Sequence, residues 1–159
     1  MGKDLDRAYV TDRLRAQCSR REYCSSDILK KATTLLDGNM DEARIVLEKL
    51  VEERYVDDYR YSCAYARDKA SIAGWGEVKI RYMLRAKGVA GEVIDAAIDE
   101  IDCAKADQRL VKLLLNKYKS LKDDPQARMK LVRYAVGRGY SYDEVTSVFN
   151  KIIKNNEEI

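Results

Sequence analysis

A period of 51 residues constrains this chain more than any other feature. Sliding the sequence by that amount places Asn39 on Ala90 and then on Ser141. Ala43, Ile94 and Val145 then coincide, as do Val46, Ala97 and Val148; Leu47, Ile98 and Phe149; and Leu50, Ile101 and Ile152. These positions follow i, i+3, i+4, i+7, the apolar stripe of an amphipathic helix. The helix before them aligns as well, Leu29 with Ile80 and Leu131, then Ala32 with Met83 and Tyr134. Six apolar positions in phase three times over, with cap sites in step, mark a repeated supersecondary unit.

The spacing predicts helices near 4–19, 25–36, 40–54, 57–73, 77–87, 91–101, 104–120, 126–138 and 142–154. Start signals support them. Ser25-Ser26-Asp27 precedes an apolar stretch, Asp124-Pro125 offers a cap and then proline at the first helical position, and Ser141-x-x-Glu144 is a capping box with Asn39-x-x-Glu42 as a near relative. Gly38, Gly88 and Gly139 stand where a left-handed helix end favours glycine. One proline and eight glycines are too few for the frequent turns of an all-β chain. The expected fold is therefore all-α: three tandem three-helix, helix-turn-helix-like repeats over 1–55, 56–102 and 103–159. A triplet of that size buries too little surface alone, so neighbours should stack into an elongated array that can curve.

The same residues exclude several chemistries. Histidine is absent, which removes the commonest general base and the Ser-His and Cys-His nucleophile pairs. No phosphate-binding glycine loop occurs. Acid pairs such as Asp57-Asp58 and Asp123-Asp124 fall at helix starts, where capping accounts for them. Cys18, Cys24, Cys63 and Cys103 lie 6, 39 and 40 residues apart, a pattern of free thiols and not of a zinc module. No run of 18 apolar residues and no leader-like start is present. The expectation is a cytoplasmic, non-enzymatic monomer without cofactor, metal or membrane contact.

Net charge is only +3, but it is segregated. Residues 7–31 balance to +4, 79–87 to +4 and 105–138 to +7, whereas 37–58 and 92–102 each balance to −5. The third helices of the first two triplets thus carry Glu42, Glu48, Glu52, Glu53, Glu92, Asp95, Asp99 and Glu100, which phosphates would repel. A groove-reading third helix is excluded for them, and an anion should meet the first and second helices. Within "GWGEVKIRYMLRAKG" (74–88), Ile80, Met83 and Leu84 face inward, while Arg81 and Arg85 form an outward stripe beside Tyr82. The four cations Lys79, Arg81, Arg85 and Lys87 lack a nearby acid after Glu77, and the glycines flanking Trp75 predict an exposed, bendable corner.

These residues also carry a resemblance. "VDDYRYSCAYARDK" (56–69) followed by "GWGEVKIRYMLRAKG" is similar to the core signature of the RecX family of recombination regulators, with Gly76, Lys79, Ile80, Leu84, Lys87 and Gly88 matching its central block. "CSRREYCSSDILKKA" (18–32) resembles the family's first unit and "KLVRYAVGRGYSYDEV" (130–145) its third. The likeness implies tandem three-helix units, modulation of the RecA recombinase filament by binding, weak non-specific contact with single- or double-stranded DNA, and no catalytic residues. "TTLLDGN" (33–39) departs from it by lacking the basic-glycine ending of "RAKG" and "VGRG". Candidate partner- or DNA-binding residues are Arg20, Arg21, Lys30, Lys31, Trp75, Lys79, Arg81, Arg85, Lys87, Lys130, Arg133 and Arg138. The alternatives are a non-specific DNA-binding helical module, and a helical scaffold unrelated to recombination.

Overall fold

The structure is a computed structural model that describes the backbone of residues 3–157 and the side chains of 6–102 and 105–152. Among the described residues there are nine helices and no strand. They are α1 (Lys3–Cys18), α2 (Ser25–Leu35), α3 (Met40–Glu52), α4 (Asp58–Ser71), α5 (Glu77–Ala86), α6 (Gly91–Asp99), α7 (Cys103–Leu121), α8 (Ala127–Gly137) and α9 (Tyr142–Glu157). Every predicted helix is present. The chain gathers into two compact units, one of 1–65 with 84–97 and one of 66–83 with 98–159. The middle triplet's residues divide between them, so the partition at 55/56 and 102/103 stands as a proposed repeat register.

In the N-terminal unit, α1, α2 and α3 close around Val10, Leu14, Ile28, Ala32, Val46 and Leu50. In the C-terminal unit, α7, α8 and α9 close around Leu110, Leu114, Leu131, Ala135, Val145 and Val148. The third-helix register is as expected: Ala43, Ile94 and Val145 are buried, and so are Val46, Ala97 and Val148. The second-helix register differs by one residue in the first triplet. Ile28, not Leu29, is the buried counterpart of Ile80 and Leu131 in the repeat, and Ala32 corresponds to Leu84 and Ala135.

The cause of that slip lies in "TTLLDGN". In the second and third triplets a single left-handed residue ends the helix, Gly88 (φ 78°) or Gly139 (φ 102°). The next amide, Val89 or Tyr140, bonds back to Leu84 or Ala135, and its side chain is buried. The first triplet uses two left-handed residues in succession, Asp37 (φ 55°) and Gly38 (φ 87°), and Gly38 N–H donates to Thr33 at 2.8 Å. Its turn is one residue longer, so a uniform shift misplaces α2.

The caps decide the helix starts. Ser141 and Glu144 form the reciprocal capping box, and Asn39 accepts from Glu42 N–H at 3.2 Å. Asp57 caps α4 by accepting from Arg60 N–H. Two starts differ from expectation. Cys24 is the residue before α2, and Asp58 of α4 reaches across to accept from Ser25 N–H at 2.7 Å. Pro125 sits inside a turn in which Ala127 N–H bonds to Asp124, so α8 begins two residues after the proline. Cys18, Cys24 and Cys63 are free thiols, and burial pushes Cys18 and Cys24 above the usual thiol range, which keeps them protonated and unreactive. The Cys103 side chain lies outside the described residues, as do Met1 and Gly2.

Gly139→Ala should destabilise the protein by more than about 3 kcal/mol, because it joins a left-handed backbone to a steric clash. A β-carbon there would lie 2.3 Å from Lys79 Cβ. Gly38→Ala has open space at φ +87° and should cost only about 1 kcal/mol; urea unfolding followed by circular dichroism compares the two. A pH effect follows from Tyr61, whose phenol is pushed up to about 12 by burial, with Cys24 and Asp27 adding to the effect. The folded state favours the neutral phenol, so this contribution is complete below about 10, the unfolded value, and is lost as pH rises toward the folded one. Urea midpoints measured across that window should fall for the parent and fall less for Tyr61→Phe.

Candidate functional site

The site begins with two glycines. Gly76 is buried, and a β-carbon on it would lie 2.5 Å from the backbone of Gly139 and Tyr140. The close approach lets the start of α5 hydrogen-bond the turn that ends α8: Gly76 N–H donates to Arg138 O and Val78 N–H to Gly139 O, both at 2.9 Å. Unmet donors of one helix start thereby satisfy acceptors of another helix end. The bendable corner expected at Trp75 is therefore a fixed seam.

A related seam occurs in the N-terminal unit. There Ser26, at the start of α2, donates its hydroxyl to Lys87 O at the end of α5. By the corrected register Ser26 corresponds to Val78, Asp27 to Lys79 and Lys87 to Arg138. Asp27 and Lys87 form an ion pair at 3.1 Å, so the first seam is electrically balanced. Their counterparts in the second, Lys79 and Arg138, are both cations.

Aromatic rings take the place of the missing carboxylate. Lys79 Nζ lies 4.4 Å from the Trp75 ring centroid and Lys69 Nζ lies 4.8 Å from it. The Arg138 guanidinium stands 5.5 Å from the Tyr134 centroid, with Lys117 Nζ at 4.8 Å. Arg138 also donates to Ala73 O at 3.1 Å, which fixes it beside the Trp75 corner. A ring holds a cation without adding a countercharge, so the local net charge stays positive, unlike that of an ion pair. Neither Lys79 nor Arg138 has a carboxylate partner among the described residues.

The remaining expected residues divide. In the N-terminal unit, Arg21 and Lys31 flank Tyr23 at 4.3 and 5.2 Å, with Arg20 and Lys30 exposed nearby in sequence. Arg85 is exposed and has no ion pair among the described residues. Three others are not the uncompensated charges the sequence implied. Arg81 pairs with Glu77 at 2.8 Å, one helical turn back on α5. Lys87 is held by Asp27, and Lys130 by Asp124 at 2.5 Å. Arg133 is exposed and rests against the Met129 sulfur. Glu77 answers Arg81 because i to i+4 is the favourable spacing for such a pair.

Sequence reasoning missed Tyr23, Lys69, Lys117 and Tyr134. One signal was available: Trp75 and Lys79, like Tyr134 and Arg138, stand four residues apart, the spacing at which a helical cation can overlie a ring. Among the described residues there is no cluster of metal-ligating groups, and no helix is long and apolar enough to cross a membrane.

Comparison with known proteins follows the same residues. The second three-helix domain of RecX matches 57–98 and the third matches 106–149. Regulatory protein RecX of Clostridium tetani is 31% identical over 75% of this chain and 57% of its own length. That of Mycolicibacterium vanbaalenii is 32% identical over 74% of this chain and 68% of its own. That of Streptococcus uberis is 23% identical over 92% of this chain and 54% of its own, so the chain spans little more than half of several relatives. A crystal structure of RecX from Lactobacillus salivarius superposes with a TM-score of 0.80 at 16% identity, covering 92% of this chain and 96% of that one. A second crystal structure, of regulatory protein RecX, gives 0.82 at 23% identity over 91% of this chain and 72% of that one.

The geometry separates the two arginine-lysine neighbours on α5. Lys79→Glu should weaken binding to a fluorescent single-stranded oligonucleotide by about tenfold, the effect of ~1.4 kcal/mol. Arg81→Glu, whose charge Glu77 already answers, should weaken it by less. Fluorescence anisotropy over a salt series checks both, and Lys79→Glu should also flatten the salt slope.

Proposed function

This chain belongs to the RecX family of regulatory proteins, and we propose that it acts by binding RecA recombinase filaments on DNA and lowering their ATPase and strand-exchange activity. It does so as a cytoplasmic monomer with no cofactor and no reaction of its own. The observation that carries this reading is the second seam. Where the first seam sets Asp27 against Lys87, the second sets Lys79 beside Arg138 over aromatic rings. That replacement forgoes an internal ion pair and leaves charge for an outside anion.

Two anions fit, DNA phosphate and an acidic surface of the recombinase. Trp75 and Tyr134 favour a flexible single strand among nucleic acids, because bases can stack where a ring is reachable. Contact remains weak and insensitive to base sequence, since guanidinium and ammonium groups at a seam meet phosphate and not base edges. The acidic positions of α3 and α6, Glu48 and Asp95 among them, repel the same phosphates and so meet basic protein surface if they meet the filament at all. Protein engaged this way hinders the conformational cycle that couples ATP hydrolysis to strand exchange.

The test is inhibition of RecA ATPase on single-stranded DNA. The parent should inhibit, and Lys79→Glu should need about tenfold more protein for half-inhibition while its thermal melt stays that of the parent. Binding to naked DNA that fully accounts for any effect would favour a DNA-binding module without a recombinase partner. Absence of binding to filaments with and without DNA would favour a scaffold unrelated to recombination.

A further inference from the structure

A cavity of about 460 Å³ opens in the C-terminal unit, between the end of α4, the start of α5 and the α6–α7 corner. Its floor is apolar, formed by Ile80, Ile98 and Ile101. Its rim carries Asp99, Asp107 and Glu144, with Arg109 offsetting one of these charges. Two further rim ions, Glu77 and Arg81, answer each other, and Glu144 accepts from Ser141 N–H in its capping box. Asp99 and Asp107 are exposed and have no ion pair among the described residues. Asp99 lies in the last turn of α6, which has no basic residue there. A carboxylate at that end opposes the helix dipole, so helix stability does not account for it.

A second observation points into the same space. Tyr140 lines the cavity while only 4% exposed, and its hydroxyl makes no hydrogen bond among the described residues. Its ring is buried while its hydroxyl oxygen stays accessible, so a ligand entering the cavity would meet a free acceptor on an otherwise buried side chain. The volume is that of a ligand site, roughly 300–1,000 Å³.

We propose that this cavity receives a side-chain cation, a lysine or arginine, presented by a basic segment of a partner protein. The methylene stem would lie on the isoleucine floor, as long charged side chains do on apolar surface. The head would donate to Asp99 and Asp107, and to the oxygen of Tyr140. This site takes a cation and the Lys79–Arg138 seam takes an anion, so the two are separate recognition elements. The inference stands without the filament reading.

Trp75 is the chain's single tryptophan and lines the cavity, so its emission reports occupancy. The probes are N-acetyl-lysinamide, N-acetyl-argininamide and, as the uncharged control, N-acetyl-glutaminamide, titrated at constant ionic strength. One or both cationic amides should give a saturable change with half-saturation on the order of a millimolar, the affinity of a ligand of this size. The Asp99→Asn/Asp107→Asn double variant, altered only at exposed positions, should weaken it by at least about fivefold. No saturable change, an equal response to the glutamine amide, or an unchanged response in the double variant overturns the proposal. Because the probe is a single amino-acid amide, failure of filament binding leaves this readout untouched.

Discussion

The contact between Gly76 and the Arg138–Gly139 turn is the constraint on which the second half of this molecule depends. Backbone meets backbone there, and neither glycine has room for a β-carbon. The amides at the start of α5 have no partners in their own helix, and the carbonyls after α8 have none in theirs. Each set satisfies the other. A buried seam of this kind tolerates little sliding, because a shift of one residue would break both bonds and drive Lys79 into Gly139.

Charge placement follows from that geometry. The seam brings residues 79 and 138 to adjoining backbone positions whatever their side chains are. In the N-terminal unit the corresponding positions hold an acid and a base, and they pair. In the C-terminal unit they hold two bases, and each is kept in place over a ring. The repeat thus supplies one scaffold twice, once neutral and once cationic. Only the cationic version keeps a net positive charge.

Much of the fold was legible in the sequence because helix periodicity and caps are local signals. The capping box at Ser141 and the apolar stripe from Ala43 to Leu50 needed no tertiary information. Ile28 was misplaced because a uniform shift cannot register one extra residue in a turn, and Asp37 in a left-handed conformation is not a position that composition marks. The site was less legible. Counting charges along α5 made Arg81 and Lys87 resemble Lys79, although Glu77 lies one turn from the first and Asp27 reaches the second from sixty residues away. The glycines around Trp75 read as freedom, whereas Gly76 is needed for closeness. That distinction exists only once α8 is in place.

Amide hydrogen exchange at Gly76 and Val78 tests the seam most directly. If the backbone bonds to Arg138 and Gly139 hold the C-terminal unit together, both amides should be protected to the level of the α7–α8 core around Leu114 and Leu131. Exchange at the rate of an open loop at these two positions, with the core itself protected, would contradict the seam and the cationic surface it is said to assemble.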